Sequence, residues 1–155
     1  MVRYAQQLFE AGDPHKRLRA KALEKVFAIF DRDDHRSYFD ALTLAGKLDG
    51  KLRNDAKQSV AFKAIASIPC FELWLLLHYE DIQHSIHRNE VLSRLKLHIP
   101  GYDKGIGGSF TATKENLEIA SQRARQLASR STAYDDTEPS TDIVDLVRLL
   151  IQFGK

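Results

Sequence analysis

The residues best suited to chemistry in this chain are Phe30-Asp31-Arg32-Asp33-Asp34-His35. On an extended segment, residues two apart point to the same side, so Asp31 and Asp33 can aim at one point. Two carboxylates about 5 Å apart repel by roughly 3 kcal/mol at an effective dielectric of about 20. A divalent cation relieves that repulsion, and hard oxygen donors favour Mg2+ or Mn2+. Such an ion can polarise a phosphoryl oxygen or lower the pKa of a bound water, which points to phosphodiester chemistry. His35 is placed to serve as a general base or phosphate donor. The competing reading is an acidic turn that caps the next helix, neutralised by Arg32 and Arg36.

Glu72 is the second acid of interest, at the start of an apolar helix just after Pro69-Cys70-Phe71. It reads either as a carboxylate favoured by the helix dipole or as an acid near a cleft that binds metal or orients a group. Other constellations are excluded. With Asp31 as the first position of an EF-hand, the sixth is Arg36 rather than glycine and the twelfth is Leu42 rather than glutamate. Gly105, Gly107 and Gly108 lack the spacing of a dinucleotide loop, there is no P-loop, and no HExxH arrangement exists among the six histidines. Cys70 stands alone, which rules out an internal disulfide framework and reads as buried filler rather than a nucleophile.

The acids need elements to hold them. Lys25 to Asp31 contains the continuous run Val26-Phe27-Ala28-Ile29-Phe30, which suits a buried strand and puts Asp31 at its carboxyl end, where open α/β sheets keep their ligand crevice. Ser37 followed by Asp40 resembles a capping box for a helix over Tyr38–Leu48, and Gln58 to Ala66 reads as a second strand. Strand, helix and strand make a βαβ unit with parallel strands. Before it, a helix is expected over residues 3–10, and another from Asp13-Pro14 with Leu18, Ala22 and Val26 on one face. After it come a buried helix over Cys70–Tyr79 and further helices over Arg88–His98, Lys114–Ser129 and Ser140–Phe153. Two strands are too few for a covered parallel sheet, so a strand is missing or another chain supplies it.

The 155 residues fit one domain, with an α/β core at 12–80 and a helical part at 88–155. A hydrophobic fraction of 43% and a charged fraction of 28% are those of a folded protein rather than a disordered one. The net charge of +2 is too small to announce a nucleic-acid partner by itself. Apolar stretches are too short to span a bilayer and no leader pattern opens the chain, so the expectation is a soluble cytoplasmic protein without a membrane partner.

The strings FDRDDH and PCFELWLLLHY, followed by Pro100-Gly101-Tyr102-Asp103-Lys104 and Pro139-Ser140-Thr141, resemble in kind and order those of RloB-like proteins, bacterial proteins of abortive-infection and restriction loci. The resemblance implies a Toprim-like, Rossmann-like α/β core with a small parallel sheet, flanking helices and a helix-rich C-terminal half. It also implies that the opening strand, with its glutamate-bearing loop, is missing here. Ile68 and Glu138 stand where the family commonly has asparagine. The implied function is phage defence by Mg2+- or Mn2+-dependent nuclease cleavage of DNA or RNA, impaired if that strand is lacking. On this reading Asp31, Asp33 and Asp34 hold the metal, Asp31, Asp33, Glu72 and His35 are catalytic, and Arg32 and Lys104 contact nucleic acid. The alternative is a non-catalytic module that binds a defence-system partner, or its own copy, by strand addition at an exposed sheet edge.

Overall fold

Val26 and Ala28 turn into a core while Lys25 and Ile29 face outward, and this run forms strand β1 (Lys25–Asp31). The computed structural model describes residues 1–32, 37–105, 107–130 and 138–153. Helix α2 (Tyr38–Leu48) begins directly after Ser37, as the capping box predicts, although the Ser37 side chain makes no cap hydrogen bond. Strand β2 (Ala61–Ile68) then pairs with β1. The Ala61 amide donates to the Glu24 carbonyl at 3.0 Å and the Arg32 amide to the Ser67 carbonyl at 2.9 Å. Numbering therefore rises together along both strands, and the pair is parallel.

The sheet has a third member at the head of the segment Ser140–Phe153, where the sequence predicts helix. Ser140–Thr141 forms β3, antiparallel to β2 with Ser67 opposite Thr141 and Ile68 opposite Ser140, in the order β1-β2-β3. The sheet is therefore mixed rather than wholly parallel. The expected α/β class with flanking helices and a helix-rich C-terminal half holds. On the side of β2 away from β1, the Phe62 amide donates to Asp49 Oδ1 at 3.0 Å and the Ala66 amide to Asp142 Oδ2 at 3.2 Å.

Packing divides the chain into two compact units, residues 1–30 with 34–65 and residues 31–33 with 66–155. In the first, helix α1 (Val2–Ala11) contributes Val2 and Phe9 to a core completed by Val26, Ala28, Ala45, Val60 and Phe62. The helix expected from Pro14 through Val26 does not form. Asp13 caps a single 3₁₀ turn at Pro14–Lys16, accepting from the amides of His15 and Lys16, and Arg17 then enters the left-handed region at φ 54°. Asp13 and Leu18 exchange backbone hydrogen bonds, and the Lys21 amide donates to Phe9 at 2.7 Å, so the chain folds back beside α1 instead of coiling. That return crowds Gly12 (φ +72°), where a Cβ would lie 2.5 Å from the Leu18 carbonyl oxygen.

The second unit is built around α3 (Glu72–Leu76), in which every residue is buried. Around it pack α4 (Arg88–His98), α6 (Leu117–Arg130) and β3. The helix expected over Lys114–Ser129 is divided: α5 (Ser109–Thr113) and a 3₁₀ turn at Lys114–Asn116 precede α6. Thr113 Oγ1 bonds back to the Ser109 carbonyl at 2.8 Å, a local competitor of regular helix. Arg123 donates to the Leu77 carbonyl at 2.7 Å, and Ser67 and Thr141 share a buried hydroxyl hydrogen bond at 2.8 Å. Helix α7 (Ile143–Phe153) buries Ile143 and Val144.

Candidate functional site

Asp31 ends β1 and reaches across to the start of α3, where its Oδ1 accepts the Phe71 amide at 2.8 Å. This bond ties the first acidic residue to the backbone one position before Glu72. Placing Glu72 at the head of an apolar helix sinks its carboxylate into the second unit, where the residue is only 2% exposed. Its Oε1 accepts the Tyr102 hydroxyl at 3.2 Å and the Lys104 ammonium at 3.2 Å. Its Oε2 is buried with no hydrogen-bond partner among the described residues. A buried carboxylate oxygen in that state is rare, because leaving it unsatisfied costs on the order of 1–3 kcal/mol.

The electrostatics explain how the charge survives there. Burial pushes the Glu72 carboxyl upward, but its own amide, the Cys70 thiol and the Lys104 ammonium together hold it below its ordinary value. Lys104 is half-exposed, with its titration point raised: partial burial acts against the charge, and the Glu72 and Asp31 carboxylates outweigh it. Burial and the Glu72 charge push Tyr102 upward, so its hydroxyl stays a donor. The same two causes, in that order, push the Cys70 thiol up to about 12, which keeps it protonated and inert as a nucleophile.

Phe71, Glu72, Tyr102 and Lys104 line an open cleft of about 530 Å³ together with Gly105, Gly107, Gly108, Ser109 and Phe110. Three of the residues singled out in the sequence thus meet around the head of α3: Asp31, Glu72 and Lys104. Arg32 is placed through its backbone bond to Ser67. Asp33, Asp34 and His35 lie outside the described residues. Among the described residues no three His, Cys, Asp or Glu side chains converge as a metal cage. Tyr102 has no spacing signature, being a lone tyrosine in a turn, and its place in the Pro100–Lys104 string is the signal that points to it.

The family model described as RloB-like protein matches residues 1–150. The chain belongs to the RloB-like family. Membership agrees with a role in defence and abortive infection, and it covers Asp31, Glu72, Tyr102 and Lys104 alike. No curated protein and no solved structure matches the chain. Among the described residues, no helix of this RloB-like chain is long and apolar enough to cross a membrane.

Proposed function

We propose that this RloB-like chain is a phage-defence nuclease that cuts nucleic-acid phosphodiester bonds with Mg2+ or Mn2+ on a Toprim-like core. One observation carries the reading: the buried Glu72 carboxylate keeps an oxygen without a partner among the described residues, beside a cleft and one residue from the backbone that anchors Asp31. An orphaned carboxylate oxygen and a second hard oxygen donor nearby fit a hard divalent ion. Asp31 and Glu72, with Asp33 and Asp34, would hold it, and when bound it would polarise a phosphoryl oxygen and acidify a water. Lys104, half-exposed and charged, reaches from Glu72 toward the cleft and supplies a contact for a phosphate; Arg32 supplies another. Tyr102 orients the Glu72 carboxylate through its hydroxyl, and His35 serves as the base.

The test is cleavage of single-stranded DNA, duplex DNA and RNA with Mg2+ or Mn2+, beside Asp31→Asn, Asp33→Ala and Glu72→Gln. Cleavage is expected to fall by about 100-fold or more in each folded variant. Cleavage that survives Asp31→Asn and Asp33→Ala unchanged removes the aspartates from the mechanism.

The interaction-module reading draws on β1, which borders one side of the sheet and leaves Ile29 44% exposed. A melting temperature that does not rise with millimolar Mg2+ favours this reading over the nuclease.

A further inference from the structure

Two of the chain's exposed large apolar side chains, Phe71 and Phe110, border the same cleft as Lys104. Phe71 is 37% exposed and Phe110 is 62% exposed. Burying either ring would have been the ordinary outcome for phenylalanine, and each instead presents aromatic surface to a cleft that Lys104 also lines. Gly107, Gly108 and Ser109 line the same space, so the aromatic and cationic groups open onto one cleft.

We infer that this cleft receives an unpaired base of a single-stranded nucleic acid, stacked on Phe110 and Phe71 while Lys104 contacts the adjoining phosphate. The inference rests on the nuclease reading for the place of the chemistry and adds the substrate class. Stacking on an aromatic ring beside a cation is how single strands are held without base-specific hydrogen bonds. A duplex keeps its base faces against one another and offers phosphates and groove edges, so these rings have nothing to stack on there. A cleft of about 530 Å³ lies in the size range that encloses small-molecule ligands, suited to a nucleotide or two rather than to a double helix. DNA and RNA share the chemistry invoked, and the assay separates them.

Binding is measured without metal, in EDTA, by fluorescence anisotropy of labelled oligonucleotides. The same sequence is offered as single-stranded DNA, single-stranded RNA and a blunt duplex. The wild-type chain is expected to bind one or both single strands at least about fivefold more tightly than the duplex. Phe110→Ala and Phe110→Leu are expected to lose about fivefold or more of that affinity, and Phe110→Trp to retain it. Circular dichroism confirms that each variant is folded. Equal binding of duplex and single strand overturns the inference, as does Phe110→Leu binding as the wild type does, since leucine keeps the apolar contact and lacks the ring. Because no metal is present, single-strand binding without any later Mg2+-dependent cleavage refutes the nuclease reading and leaves the stacking site standing. Cleavage with no dependence on Phe110 does the reverse.

Discussion

Replacing Lys104 with methionine isolates the charge that keeps Glu72 ionised. At 3.2 Å the pair attracts by about 5 kcal/mol at an effective dielectric of about 20, and by about 1.3 kcal/mol in water. The Lys104 side chain is 51% exposed, so solvent takes up much of its half of the interaction and the working value lies near the lower figure. Lys104→Met is therefore expected to cost about 1–2 kcal/mol at pH 7, or roughly 2–8 °C in melting temperature for a chain of this size. The pH dependence fixes the cause. The folded carboxyl of Glu72 sits below its ordinary value of 4.5, so its contribution is complete above that pH and is lost as pH falls through the folded value. Without Lys104, burial weighs more heavily on the carboxyl and raises it, so the variant loses less on acidification and the gap to wild type narrows. Thermal melts of wild type, Lys104→Met, Glu72→Gln and the double variant at pH 7 and pH 4 complete the cycle. The double variant is expected to recover at least about half of the Lys104→Met loss, because a neutral amide needs no counter-ion. A gap that is the same at both pH values, or a double variant as unstable as Lys104→Met, refutes the reasoning.

Gly12→Ala is expected to destabilise by about 3 kcal/mol or more in urea unfolding, since it adds a Cβ at φ +72° against the Leu18 and Ala20 backbone. Gly101→Ala, at φ +80° with nothing within 4 Å among the described residues, is expected to cost only about 1 kcal/mol, and equal losses would refute the crowding argument. Asp49→Ala removes the acceptor of the Phe62 amide and the partner of Lys63, at a cost of about 1–2 kcal/mol at pH 7. Lys63 and the Phe62 amide hold Asp49 below its ordinary value, so this difference is present above about pH 3.9 and closes as the pH falls through the folded value. A difference that persists undiminished at pH 2 would show that the carboxylate charge plays no part.

Elements set by local pattern were legible in the sequence. The apolar run Lys25–Asp31, the Tyr38–Leu48 segment after Ser37 and the Arg88–His98 periodicity appear with the boundaries the residues dictate. What escaped was fixed by distant backbone. The coil through Pro14–Val26 yields because Asp13, Leu18 and Lys21 find carbonyl and amide partners across the chain reversal. Ser140–Thr141 is a strand because Ser67 and Ile68 pair with it, and nothing in two small polar residues announces that. The same pairing carries β2 onward through Ser67 and Ile68, past the Gln58–Ala66 span that its apolar residues suggested. For the site, Asp31 and Glu72 could be named from their places at a strand end and a helix start. Their joining through Phe71, and the arrival of Tyr102 at Glu72, depend on folding that no spacing rule encodes.

Along β2 the amides of Phe62 and Ala66 both donate to aspartate oxygens, those of Asp49 and Asp142. Sheets grow into ordered aggregates when a newcomer finds a ladder of vacant donors, and along this flank β3 covers Ser67 and Ile68 while aspartate side chains take the amides of Phe62 and Ala66. A second molecule docking there would have to strand both carboxylates away from their donors to form ordinary backbone bonds in exchange. Asp49 and Asp142 thus make the flank resistant to templating, and neutralising both is the change that would open it.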